Sequence, residues 1–351
     1  MSMKVIITGG AGFIGCHAAA ALREQGCDVI IVDNLSRPGV QHNLDWLKSL
    51  GIAEFHRLDV RDAESILDLV ARHRDAGAVL HLAGQVAVTR SVVNPRDDFE
   101  NNALGTLNVL EAVRIAAAGR PAVIYSSTNK IYGGLEHLES AREGDRHILP
   151  DRPLGIDENE PLNFHSPYGC SKGAGDQYVR DYARIYGMRT VAFVQSCVYG
   201  TRQYGLEDQG WVAHFVIAAQ LGKPVTIYGD GRQVRDLIWI DDVVRAYQSA
   251  IQNMDDPHVR GHGFNLGGGP DRALSLRELT AFLERRLGHE LDIREADWRP
   301  GDQRVFIADT RKAQSALGWR PTVSVEEGLD RLWDWVAEHL DELRALPKWQ
   351  S

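Results

Sequence analysis

The chain opens on an uninterrupted apolar run, Lys4 to Thr8 (KVIIT), with none of the alternation of a strand that faces water on one side. Such a run reads as a strand buried on both faces. It leads directly into glycines at 9, 12 and 15, and then into an alanine-rich helical stretch that ends near Gln25. The alternation continues. Residues 28–32, 53–58, 78–82, 121–127 and 189–195 read as strands with helical segments between them, including one long helix over 98–118. Strands separated by helices predict an α/β fold, a doubly wound parallel sheet of Rossmann type, with ligands at the carboxyl ends of its strands.

Beyond residue 195 the order changes. Short strands are expected at 225–228, 234–240 and 263–266, and helices at 208–221, 275–287, 311–317 and 325–340. The pattern divides the chain into a Rossmann part, residues 1–197 and 235–266, and an interleaved smaller part, 198–234 and 267–345, that would take the substrate. Residues 134–164 are charged, carry prolines and lack a period, so they read as a surface excursion.

The strand ends carry the chemistry. Gly9, Gly12 and Gly15, with Phe13 and Ile14 among them, make a Gly-x-x-Gly-x-x-Gly turn between a strand and a helix. Glycines there let the backbone approach a pyrophosphate, which then lies on the helix N-terminus. The second strand ends in Asp33, eighteen residues after Gly15. An acid at that place binds a ribose and repels a 2′-phosphate, which favours NAD over NADP, although Arg37 nearby could tolerate the phosphate. Asn34, Ser36 and Arg37 follow Asp33. Asp59 and Val60 are placed to touch the adenine. Leu82, Ala83 and Gln85 end the next strand, and Asn102 joins them from the long helix, completing the cofactor set.

Tyr168 and Lys172 stand four apart at the start of a helix and so share a face. A phenol titrates near ~10, and an ammonium group beside it favours the phenolate. The pair suits proton removal from an alcohol while a nicotinamide takes the hydride.

A net charge of −9 argues against nucleic-acid or anionic-membrane partners. No apolar run approaches a membrane span, the N-terminus does not read as a signal peptide, and the four cysteines lack any disulfide or metal spacing. A cytoplasmic protein without a metal is expected.

Together, Thr8 to Gly15, Thr128, Tyr168-Gly-Cys-Ser-Lys172, Arg235-Asp236 and Arg299-Pro300-Gly301-Asp302-Gln303-Arg304 resemble the extended short-chain dehydrogenase/reductases, the nucleotide-sugar epimerases and dehydratases. His81 to Ala87, Ser126 to Lys130, Phe164 to Lys172, Asp208 to Val212 and Asp302 to Phe306 resemble the CDP-sugar 2-epimerases of the CDP-paratose/CDP-tyvelose type. That resemblance implies NAD, a nucleotide-sugar substrate, and inversion at C2 through a keto-sugar in a homodimer or homotetramer. It also implies Tyr168 as base, Lys172 as its tuner and Thr128 as the bridging hydroxyl. Asn129, Arg202, Gln203, Trp211, Arg235, Arg299 and Arg304 are the implied substrate contacts. A 4-epimerase uses the same catalytic set and stays open. A 4,6-dehydratase would carry an acidic pair where Asn129 and Lys130 stand. A non-catalytic NAD-sensing regulator would typically have lost the Tyr/Lys pair.

Overall fold

A computed structural model describes residues 2–205, 207–299 and 301–350. Pro300 of the Arg299–Arg304 motif lies outside the described residues. Seven parallel strands form the main sheet: β1 (Lys4–Thr8), β2 (Asp28–Asp33), β3 (Phe55–Arg57), β4 (Ala78–His81), β5 (Ala122–Thr128), β6 (Thr190–Gln195) and β7 (Gly263–Leu266). Their order is 7-6-5-4-1-2-3. Alternate residues of each strand pack into separate cores. Val5, Ile7, Ile31, Leu80, Ile124 and Phe193 belong to one face, and Ile6, Ile30, Val79, Val123 and Ala192 to the other. Both faces are covered by helices, which is why these strands are apolar throughout rather than alternating.

The register brings the strand ends level. Thr8 stands beside Val32 and His81, and Thr128 beside Gln195, which pairs with Leu266. Chain order reverses between β1 and β4, and ligands bind outside the carboxyl ends at such a switch point.

The expected helix over 98–118 is present, with a π-turn inside it. It runs as Pro95–Phe99, a π-turn at Glu100–Leu104, and Gly105–Ala116. The turn is pinned by Asn102, whose amide donates to the Gln85 carbonyl at 2.9 Å and accepts from the Gln85 N–H at 2.9 Å. Gly105 fits there because a Cβ would lie 2.7 Å from Val60.

The strand Val234–Trp239 stands apart from the main sheet. It pairs with Cys197–Tyr199, Ala273–Ser275 and Val305–Phe306. Val225–Tyr228 pairs with Ile293–Ala296. Buried Asp236 ties this region together, accepting from the Gly269 N–H at 3.0 Å and from the Ser196 hydroxyl. The 134–164 segment is more than a solvated loop. It forms a hairpin, Ala141–Glu143 with Arg146–Ile148, anchored by Arg146 on Glu278 and His147 on Asp230. Among the described residues no helix is long and apolar enough to cross a membrane.

Buried His81 links three elements: Nδ1 lies 2.7 Å from the Thr8 hydroxyl and Nε2 lies 3.1 Å from Thr106. Burial, aided by the Lys172 charge, lowers its pKa to about 3. The unfolded chain therefore takes up this proton first, so stability is complete above about 6.5 and falls as pH drops toward 3. The expected loss between pH 7 and pH 5 attributable to His81 is about 2 kcal/mol. Urea unfolding at the two pH values should show a pH dependence smaller by that amount in His81→Gln.

Candidate active site

Two cavities open at the carboxyl ends of the strands, one of about 390 Å³ and one of about 480 Å³. They meet at the end of β5, where Asn129 and Lys130 line both.

The first cavity is shaped by glycine. Gly9 has φ +69°, and a Cβ there would lie 2.7 Å from the Ala83 nitrogen. At Gly15 it would lie 2.2 Å from the Gly9 carbonyl oxygen. Backbone therefore meets backbone where the turns after β1 and β4 converge. The helix Phe13–Glu24 starts at Gly12 with no side-chain cap and no acid in its first turn. Phe13, Ile14 and Gly15 line the cavity, so the unpaired N–H groups of the helix face it. That is a site for a pyrophosphate.

At the rim, the Asp33 carboxylate accepts from the Ala11 N–H at 3.1 Å and the Leu35 N–H at 2.8 Å. It is locked in place with lone pairs left for a ribose, and burial raises its pKa. Asn34, Ser36 and Arg37 line the same end, with Val60, Leu82 and Ala83. Burial lowers Arg37 to about 10, and its charged neighbours include Arg90, Asp208 and Asp33. The donor set, an uncapped helix start with a fixed acid, fits a dinucleotide.

Three expected cofactor contacts do not line this cavity. Asp59 pairs with Arg61 at 2.8 Å and accepts from Asn34 at 2.9 Å, and the Arg61 bond brings its pKa to about 2. The Gln85 amide donates to buried Asp98 at 2.8 Å, and Asn102 donates to the same carboxylate at 3.2 Å. These polar side chains satisfy one another inside the protein and fix the loop that carries Leu82 and Ala83.

Tyr168 and Lys172 lie on the helix Ser166–Tyr186, both buried, and both line the cavity with Thr128. The Lys172 ammonium donates to the Ser126 carbonyl and sits 4.2 Å over the Tyr125 ring. Burial lowers it to about 7, an effect that Asp176 and Asp98 oppose. The expected depression of the Tyr168 pKa is absent: burial pushes the phenol up to about 12, and the Thr128 hydroxyl and Arg37 only partly oppose this. Sequence reading overlooked Asp98, which also accepts from the Ser171 hydroxyl at 2.5 Å and so fixes the catalytic helix. An Asp in a short helix gives no sequence signal that it is buried.

In the second cavity Trp211, Arg235 and Arg299 appear as expected, joined by Tyr228, Phe215 and Asp302. Arg235 pairs with Asp302 at 2.6 Å, and Arg299 stacks 3.9 Å over the Tyr228 ring. Gln203 lines the first cavity instead. Asn129 donates to Gln303 at 2.9 Å, which stitches the C-terminal segment to the end of β5. Arg202 and Arg304 line neither cavity: Arg202 stacks on Trp46 at 3.9 Å, and Arg304 donates to Ser140 at 3.4 Å. Away from both cavities, Glu54, His56 and His73 bring their ligand atoms within 4.8 Å of one another, a cluster that no metal spacing in the sequence foreshadowed.

A dinucleotide cradle beside a buried Tyr/Lys pair defines a short-chain-dehydrogenase-like enzyme with a second cavity next to it. The chain belongs to the NAD dependent epimerase/dehydratase family, whose model matches residues 5–267, and NAD is its cofactor. It is 45% identical over 340 residues to the CDP-paratose 2-epimerase of Salmonella typhi, covering 95% of this chain and 99% of that one. It is 33% identical to a UDP-glucose 4-epimerase of Mycolicibacterium smegmatis, over 93% of this chain and 96% of the relative. Among solved structures, the UDP-glucose 4-epimerase of Thermotoga maritima with UDP-glucose superposes with a TM-score of 0.81 at 34% identity, over 96% of this chain and 100% of that one.

Removing the Asp33 carboxylate strips one charged acceptor from the ribose and frees two backbone N–H groups. Asp33→Ala should weaken NAD binding about 10- to 100-fold, as loss of hydrogen bonds to a charged group implies. Titration of the apoprotein with NAD, followed by quenching of tryptophan fluorescence, checks this.

Proposed function

We propose that the protein is an NAD-dependent nucleotide-sugar epimerase that inverts C2 of a CDP-linked deoxyhexose, interconverting CDP-paratose and CDP-tyvelose. The observation that carries this reading is the 45% identity, over nearly the full length of both chains, to a CDP-paratose 2-epimerase, with Thr128, Tyr168 and Lys172 gathered beside a second cavity. In this reading residues 1–197 and 235–266 hold NAD, and 198–234 and 267–345 hold the nucleotide sugar.

Tyr168 is the base for the C2 hydroxyl proton, and Thr128 bridges phenol and hydroxyl. With the phenol near 12, a nearby positive charge must favour the phenolate. Bound NAD supplies both the hydride exchange and, in its nicotinamide ring, that positive charge. Lys172, whose protonated form Asp176 and Asp98 favour, adds to the same field and hydrogen-bonds the ribose. Arg235 and Arg299 clamp the diphosphate. Inversion then requires the keto-sugar to turn over, so that hydride returns to the opposite face of C2, while the diphosphate stays held.

The C4 reading draws on the UDP-glucose 4-epimerase relatives. For a dehydratase the site lacks its acidic pair: the Asn129 amide is engaged by Gln303, and Lys130 is a cation. We also propose a cytoplasmic homodimer or homotetramer joined through the helices near 98–118 and 167–187, where Ile115, Ile185 and Tyr186 are exposed.

Tyr168→Phe keeps the ring and removes the proton acceptor. Turnover of CDP-paratose, read by NMR of the C2 configuration, should fall at least about 10³-fold while NAD stays bound. Normal turnover would remove Tyr168 from the mechanism.

A further inference from the structure

Lys130 is a charge that the mechanism so far leaves unused. Its side chain is only 20% exposed, an expensive place for an ammonium group. It follows Thr128 by two residues, in the short 3₁₀ turn Asn129–Tyr132 at the end of β5. Its Nζ lies 3.5 Å from an Asp302 carboxylate oxygen and 3.3 Å from the Gly301 carbonyl oxygen. Asp302 divides its charge, because the same oxygen is 2.6 Å from Arg235. Two cations therefore share one acid at the inner end of the second cavity.

Position sets Lys130 apart. Arg37 and Lys172 line only the first cavity, and Arg235 and Arg299 only the second; among the described residues, Lys130 is the cation that lines both. The chemistry of the substrate gives that position a meaning. In a nucleotide sugar C2 is bonded to C1, and C1 carries the phosphate oxygen. When C2 faces Tyr168, the sugar-linked phosphate must lie immediately beside Thr128. When C4 faces Tyr168, the whole pyranose ring separates that phosphate from the reacting carbon. A cation two residues from Thr128 and open to both cavities matches the first arrangement.

We propose that Lys130 is a specificity-determining residue that binds the sugar-linked phosphate and thereby seats C2, rather than C4, at Tyr168. Asp302 is the carboxylate that this phosphate displaces, so the cation pair passes from an internal acid to the substrate. Burial already weakens the hold of Lys130 on its proton, bringing its pKa to about 8, and Asp302 opposes this while Arg235 reinforces it. The sugar-linked phosphate carries one negative charge, as the carboxylate does, and offers two free oxygens to the cation pair. The inference rests on the epimerase reading and adds the residue that selects the carbon.

The test compares wild type, Lys130→Gln and Lys130→Arg, each loaded with NAD. CDP and CMP are titrated by calorimetry, since CDP carries the second phosphate and CMP does not. Turnover of CDP-paratose is followed in parallel. Lys130→Gln should bind CDP about 10- to 100-fold more weakly and CMP unchanged, the loss expected when a charged hydrogen bond is removed. Its KM should rise far more than its kcat falls, and Lys130→Arg should recover most of the KM. A merely structural role for Lys130 would weaken CMP and CDP alike and would not be rescued by Arg; that pattern overturns the inference. Unchanged CDP affinity and KM in Lys130→Gln, beside a wild type that inverts C2, overturns it alone. A wild type that inverts no C2 overturns the epimerase reading and this inference with it.

Discussion

The structure depends on one lysine buried where water is scarce. Lys172 sits in the wall between sheet and catalytic helix, and burial weakens its hold on its proton. Two buried acids oppose this, and the pKa comes to about 7. Asp98 arrives from the short Pro95–Phe99 helix and Asp176 from the next turn of the catalytic helix. Gln85, Asn102 and Ser171 bond Asp98 in turn, so the charge network also fixes the loop after β4, the π-turn and the helix that bears Tyr168. Removing one member would leave a buried charge unpaired, the costly case. The geometry of catalysis and the rigidity of the fold thus share one set of hydrogen bonds.

Much of this was legible in the sequence because it is local. A strand of β-branched residues buried on both faces, a glycine turn and an acid eighteen residues on from Gly15 are features of short segments, and the register of β1, β2 and β4 assembles them as expected. The Tyr168 to Lys172 spacing is likewise helical geometry. What sequence reading missed is nonlocal. Gln85 and Asn102 were expected to touch the cofactor, yet their amides are used up on each other and on Asp98. Arg202 and Arg304 carry the right charge, but Trp46 and Ser140 hold them elsewhere. The π-turn inside the helix over 98–118 is tied to a distant loop, because Asn102 within it bonds the Gln85 backbone. Likewise the Tyr168 pKa was read from its neighbour in sequence, while burial by surrounding elements dominates it.

The second cavity is where the C-terminal half meets the strand ends. Gln303 bonds both Asn129 and the Gly133 carbonyl, at 2.9 and 2.6 Å, and Asp302 reaches Lys130 and Arg235. The end of β5 therefore serves two roles. Thr128 lines the first cavity beside Tyr168, and the next two residues fasten the Asp302–Gln303 segment to the strand end. A sugar held there can turn over only if its diphosphate is gripped more firmly than its ring.

The central claim is that the hydrogen removed from C2 of the sugar returns to the same carbon from the other face. The most direct measurement starts from CDP-paratose deuterated at C2, incubated with the NAD-loaded enzyme in ordinary water and followed by NMR and mass spectrometry. The account predicts CDP-tyvelose that retains deuterium at C2, with no label lost to solvent and none at C4. Washout of the C2 label, or inversion at C4 with C2 untouched, would contradict it.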